Sequence, residues 1–391
     1  MYRIGREEIE AVAKVIESGC MFSASSALQE VNKFQREWAE YLGVNYSILV
    51  SGGTAALTCA LVGMGIGPGD EVIVPAYPFM ATALAVTSVG AIPVLAEVDE
   101  TLTIDLNDVE KKLTPNVKAV IPVAIVGFPC EMDRLMTMAR QHNFLVLEDA
   151  CQADGGSYKG KRLGSWGDAG AFSFNDYKII SAGEGGAVVT DDRQIYERAL
   201  IHHDGGAAFR PYAGELTTPV FMGTQYRVSE ITGAIMRVQL GRLDGILRDL
   251  RRVKAEIMRG LAGTDGICFN PSHDLDGDCG TTLPFLFDTE KRARDFAAKI
   301  SAVTPWLPID SGKHVYANWS PMLERRGACH PAMNPYNMEA NRHLRTTYAP
   351  DMCPQTLDLL SRTVFISLQP NWSAERIDSI VREVRDAVTK L

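Results

Sequence analysis

The 391 residues carry 39 Lys and Arg against 48 Asp and Glu, a net charge of −9. No basic footprint for nucleic acid results; the pairs Arg251-Arg252 and Arg325-Arg326 are too short to make one. With 46% hydrophobic and 22% charged residues the composition is that of a folded chain rather than a disordered one, and no stretch approaches the ~20 apolar residues of a membrane-spanning helix.

The length exceeds the usual size of one core, so a large domain followed by a smaller one is expected. The eight cysteines fall without CxxC spacing, which indicates neither a zinc site nor a disulfide framework and suits a reducing compartment. The first residues, rich in glutamate, do not read as a secretory signal. A cytoplasmic protein is expected.

Apolar residues at helical spacing predict helices over residues 6–17 and 27–42. A strand over 46–50 then enters Ser51-Gly52-Gly53-Thr54, and an Ala- and Leu-rich helix follows over 55–64. Strand, glycine turn and helix start together form an anion pocket of free backbone N–H groups. Strands are expected at 71–74, 92–97, 117–123 and 144–147, with helices at 80–89, 106–113 and 131–142 between them. This alternation predicts an α/β fold around a mainly parallel sheet.

A strand at 169–174 leads to Lys178 and Gly183-Glu184-Gly185-Gly186, then a strand at 186–190 and a helix at 193–201. Residues 202–223 have no period, four glycines and two prolines, and are expected to form a long loop that covers a ligand or crosses to a neighbour. Helix resumes at 229 and a long connecting helix is expected over 238–258. The domain boundary is placed near residue 250, giving a large domain over 1–250 and a small α+β domain over 251–391. The latter is expected to hold strands at 281–287 and 364–368 and helices at 290–300 and 374–391.

The stretch from Leu147 to Val189 concentrates the chemistry. An apolar run ends in Glu148 and Asp149, and Lys178 sits among Phe172, Phe174, Tyr177, Ile179 and Ile180. A lysine and a buried aspartate in one cleft are what pyridoxal phosphate (PLP) requires: a Schiff-base amine and a partner for the pyridinium nitrogen. Phe79 or Tyr77 can cover the ring, and Thr54, the Gly52-Gly53 backbone and Ser173 can hold the phosphate. Arg210 and Arg227 can grip a carboxylate or phosphate bidentately. His314, Tyr316, Asn318 and Trp319 form a polar and aromatic cluster suited to hydroxyl recognition by hydrogen bonds and stacking, or else an ordinary surface loop. His202, His203 and Asp204 lack a further ligand, and no metal is expected.

The motifs SGGTAAL, GDEVIVPAYPFMAT, LEDACQA, YKGKRLGSWGDAGAFSFNDYK, GEGGAVVT and GTQYRVSE occur in this order. Together they resemble the DegT/StrS-type sugar aminotransferases, PLP enzymes of fold type I (aspartate aminotransferase-like). The resemblance runs from about residue 5 to 245 and more loosely to the end. It implies a homodimer with shared active sites and ping-pong transfer of an amino group from an amino acid, usually glutamate or glutamine, to a keto-sugar. Lys178 becomes the Schiff-base lysine, Asp149 the pyridinium partner and Phe79 the ring cover. Gln152 is placed near the cofactor's phenolic oxygen, and Gly53, Thr54 and Ser173 at the phosphate.

Three departures matter. Gln225 stands where the family commonly has an asparagine that reaches the partner subunit's phosphate. Ala124 stands where a VHLYG-like motif has histidine. A dehydratase branch carries histidine at the lysine position, and Lys178 here favours transamination. The KHVYANWSPMLERRG stretch is similar to members that aminate free, phosphorylated or acidic keto-sugars as well as nucleotide-linked ones. A keto-cyclitol substrate and a non-catalytic PLP-binding regulator are the alternatives.

Overall fold

The computed structural model describes residues 2–391. Two amphipathic helices come first, α1 (Arg6–Glu17) and α2 (Glu30–Leu42). The second starts three residues later than its apolar pattern. Gln29 adopts a left-handed conformation there, and the Glu230 carboxylate accepts hydrogen bonds from the Glu30 and Val31 amides at 2.7 and 3.2 Å, which satisfies donors left free at a helix start.

The alternating region follows as β1 (Tyr46–Val50), α3 (Gly53–Gly63), β2 (Glu71–Pro75), α4 (Ala81–Ser88), β3 (Ile92–Ala96), α5 (Leu106–Lys112), β4 (Val117–Val120), α6 (Met132–His142) and β5 (Leu145–Asp149). The fourth strand stops three residues early, ahead of Pro122, which has no amide to donate. The fifth runs two residues beyond its apolar stretch, so that Glu148 and Asp149 lie inside the sheet. A short hairpin of β6 (Ser157–Tyr158) and β7 (Lys161–Arg162) precedes β8 (Ala169–Ser173), β9 (Gly186–Thr190) and α7 (Arg193–His203).

Seven strands form one sheet in the order β1-β9-β8-β5-β4-β2-β3. The pairs from β8 through β5, β4 and β2 to β3 are parallel, and β9 alone runs against its neighbours. Strands β2, β3, β8 and β9 are buried along their whole length, as a sheet covered on both faces requires. The chain is α/β, as expected.

The two helical stretches expected after residue 229 are one helix, α8 (Glu230–Leu261), and the expected boundary near residue 250 falls inside it. Beyond it lie β10 (Thr282–Leu286), α9 (Glu290–Lys299), α10 (Ser320–Leu323), α11 (Pro354–Ser361), β11 (Thr363–Ser367) and α12 (Ala374–Thr389), with β10 and β11 paired antiparallel. One core joins these parts: Leu243, Leu250 and Ile257 of α8 pack in the same cluster as Phe172 and Val384.

The segment between α9 and α11 returns to the large sheet. Met80 N donates to Lys313 O at 3.0 Å, Asn341 bridges Gly69 and Gly90, and Arg345 pairs with buried Glu71 at 2.5 Å. Among the described residues no helix is long and apolar enough to cross a membrane.

Candidate active site

Strands β5 and β8 are parallel neighbours, and Asp149 is in register with Ala171. Their carboxyl ends therefore deliver Asp149 and Ser173 to one sheet edge, the place where open α/β sheets bind ligands. Adjacent side chains on a strand point to opposite faces, which separates the two acids at the end of β5. Glu148 accepts the Gly164, Trp166 and Gly167 amides and holds that turn, with burial pushing its carboxyl up to about 7. Asp149, only 4% exposed, instead accepts from the Thr82 hydroxyl at 2.7 Å and the Cys151 amide at 3.2 Å. Its carboxylate has neutral donors and no ion pair, which suits a cationic ring nitrogen.

Helix α3 starts at Gly53 without a side-chain cap, so its first amides are free to face an anion. A Cβ on Gly53 would lie 2.8 Å from Ser173 Cβ and 3.0 Å from Cys151 Sγ. Glycine is therefore required for the helix start to approach the end of β8. Gly53, Thr54 and Ser173 thus bring uncapped helix amides and two hydroxyl side chains to one place.

Gln152 Oε1 accepts the Val126 amide at 3.0 Å, leaving its NH2 group free. Val126 has φ 45° and the Thr281 hydroxyl donates to its carbonyl at 2.5 Å; a β-branched residue in that region is an outlier. The strained turn occupies the place of the VHLYG-like motif.

Lys178 follows β8 by five residues, and its charge acts on Cys151, Asp154 and His314. His314 meets the Phe79 ring edge-on at 5.6 Å, and its Nδ1 is buried without a partner. Burial, with the charges of Lys313 and Lys178, holds this imidazole down at about 4, hence neutral near pH 7. Of the two aromatic candidates for covering a ring, Phe79 is 38% exposed and Tyr77 is enclosed at 1%.

Two expected substrate residues, Tyr316 and Arg210, are engaged elsewhere in the chain. Tyr316 is fully buried; its hydroxyl donates to Pro350 O at 2.9 Å and accepts from the Cys353 amide at 2.8 Å. It is a packing residue in this structure, buried in one apolar cluster with Trp319 and Met322. Arg210 is committed to Asp204, with Nε 2.7 Å from Oδ2 and Nη2 3.1 Å from Oδ1, rather than open to a ligand. Arg227 and Tyr212 bind the same carboxylate, which is only 3% exposed. Asn318 lies on the surface, as does Gln225.

Thr82 was not legible as a site residue, because its contact with Asp149 joins segments far apart in sequence.

The family model described as "DegT/DnrJ/EryC1/StrS aminotransferase family" matches residues 2–302. The chain belongs to this family. It is 42% identical to GDP-perosamine synthase of Caulobacter vibrioides over 59% of this chain and 61% of that one. It is 37% identical to L-glutamine:2-deoxy-scyllo-inosose aminotransferase of Streptomyces lividus over 81% of this chain and 76% of that one. Its fold matches the crystal structure of 3-amino-5-hydroxybenzoic acid synthase with TM-score 0.80 at 27% identity, covering 100% and 98% of the two chains.

Members of the family are PLP-dependent aminotransferases, and the residues here fit that cofactor. The Gly53 cradle leaves room that a Cβ would fill, and buried Asp149 has no cationic partner of its own.

Proposed function

We propose that this aminotransferase moves the amino group of an amino acid, glutamate or glutamine, to the carbonyl carbon of a keto-sugar, in the cytoplasm and as a homodimer with shared sites. The observation that supports the reading is the close approach of Gly53 to Ser173 beside Asp149 at one sheet edge, with Lys178 five residues after Ser173.

Bound PLP supplies an electron sink and a carbonyl carbon that carries the amino group between the two substrates. Gly53, Thr54 and Ser173 would hold its phosphate and Asp149 its protonated ring nitrogen. Gln152 would donate its free NH2 to the phenolic oxygen, with Phe79 over the ring. Lys178 Nζ would take the α-proton of the donor as general base and deliver it to the cofactor's C4′ as general acid. His314, neutral and with Nδ1 unpartnered, suits a sugar hydroxyl.

Apolar side chains support the dimer. Phe209, Met222 and Met21 expose 91, 101 and 52% of their surface, apolar area that a partner subunit would cover. All eight cysteines are free, consistent with a reducing compartment.

The test is amination of a nucleotide-linked keto-sugar by the PLP-loaded enzyme with glutamate or glutamine, read by mass spectrometry. Wild type should form the amino-sugar and Lys178→Ala should not; turnover by Lys178→Ala at the wild-type rate would overturn the reading. The similarity to the inosose aminotransferase over most of both chains favours a second reading, a keto-cyclitol acceptor. Turnover of 2-deoxy-scyllo-inosose alone would select it.

A further inference from the structure

The turn that follows β4 joins the candidate site to the far end of the chain. Its first residue, Ala124, donates its amide to Asp149 O at 3.1 Å, and its third, Val126, donates to Gln152 Oε1 at 3.0 Å. A backbone amide can donate only to the oxygen of that side chain, so the NH2 group of Gln152 is turned the other way. The turn therefore fixes which end of the carboxamide is offered to a ligand.

Val126 makes this contact in an unfavourable conformation. Its φ of 45° and ψ of 26° are left-handed, and Gly127 beside it has φ 87°. A β-branched residue adopts that region only where its surroundings impose it, and such positions gather at ligand sites. Here the surroundings are the residues that lead into β10. The Cys279 amide donates to Gly127 O at 3.1 Å, and a Cβ on Gly127 would lie 2.6 Å from Cys279 Cβ. The Thr281 hydroxyl donates to Val126 O at 2.5 Å. Thr281 is itself anchored, since its carbonyl accepts the Leu368 amide at 2.8 Å just beyond β11. Both polar groups of Val126 are thus engaged, the carbonyl by Thr281 and the amide by Gln152.

We propose that Thr281 is a positioning residue for Gln152: its hydroxyl holds Val126 left-handed, and Val126 holds the carboxamide with its NH2 group toward the cofactor's phenolic oxygen. This rests on the reading of Gln152 given above. A donor at that oxygen offsets its negative charge, so the oxygen keeps a weaker hold on a nearby proton. Thr281 acts at one remove, from the paired strands β10 and β11 through two hydrogen bonds.

The test reads the pH midpoint of the visible absorbance of PLP-loaded protein, with thermal midpoints alongside. Thr281→Val keeps the shape and deletes the donor; Thr281→Ala deletes it without placing a second methyl against the turn. Each should raise the absorbance midpoint by about half a pH unit, and Thr281→Ser, which keeps the hydroxyl, should stay at the wild-type value. Gln152→Ala should raise it at least as far. In that background Thr281→Val should add no further shift, because the two residues act as one unit. A wild-type absorbance midpoint in both Thr281→Val and Thr281→Ala, beside a shifted Gln152→Ala, would overturn the proposal and leave the reading of Gln152 standing, whatever the thermal midpoints do. So would a Thr281→Val shift of the same size with and without Gln152. An unshifted Gln152→Ala would overturn that reading and the proposal with it.

Discussion

The Thr82 hydroxyl donates to Asp149 Oδ2 at 2.7 Å, joining the start of α4 to the end of β5 inside the protein. Together with the Cys151 amide it fixes the carboxylate without neutralising it. Thr82→Val keeps the shape and deletes the donor. A hydrogen bond to a charged group is worth roughly 1.5–3 kcal/mol, so the variant should bind PLP at least about 10-fold more weakly, measured by titrating stripped protein with cofactor.

Gly53→Ala tests the phosphate cradle. The added methyl would meet Ser173 Cβ at 2.8 Å and Cys151 Sγ at 3.0 Å, and overpacking of this kind costs about 1–3 kcal/mol. The expected result is a modest fall in thermal midpoint with a larger loss of PLP affinity, since the helix start must move off β8. Equal affinity for the cofactor in both proteins would count against the cradle.

The Asp204 latch governs the long loop. Removing one partner of a buried charge is costly, but Arg227 and Tyr212 still hold Asp204 in Arg210→Ala. That variant should keep its fold, gain protease cleavage within residues 202–223 and lose activity several-fold. Asp204→Ala, which leaves two arginines without their acceptor, should be cleaved faster still.

Acid should weaken the folded state at His203. His203 is buried, its Nδ1 lies 2.6 Å from Leu200 O, and desolvation lowers it to about 4. A base depressed in the folded state binds fewer protons there than when unfolded, so its contribution is present above about 6.5 and is lost as pH falls toward 4. Glu197, held down at about 2 by Arg193 and the Thr217 and Thr218 amides, adds its loss only below about 4.5. Glu148, raised to about 7, works in the opposite direction over the same window, so the check is a difference: the stability of wild type relative to His203→Gln should fall between pH 6.5 and 4.5, by at most about 1.4 kcal/mol per pH unit.

Much of the fold was legible because its pattern is local. Strands β1 and β9 and helix α1 end at the residues where apolar periodicity stops, and the alternation of elements implied the parallel sheet. The strand ends that carry Asp149 and Ser173 were legible for the same reason: each lies at or beside the end of an apolar run. Tyr316 and Arg210 misled because a side chain's partner is set by the tertiary fold. Pro350, Cys353 and Asp204 claim them, and none of those contacts leaves a periodic trace. The left-handed Val126 was hidden likewise, since nothing in Ala124-Ile125-Val126-Gly127 announces that Gln152 and Thr281 hold it.

The dimer with shared sites has its own expected outcome. Gln225→Ala and Lys178→Ala proteins, each impaired alone, should recover part of the activity when their subunits are mixed and reassociated. No recovery in a verified mixed dimer would place both residues' work within one subunit.

The central claim is that Lys178 carries the cofactor. Borohydride reduction of the PLP-loaded enzyme, followed by proteolysis and mass spectrometry, reads this directly. The account predicts one pyridoxyl-modified lysine per chain, at Lys178. Modification at a different lysine, or loaded enzyme with none modified, would contradict it.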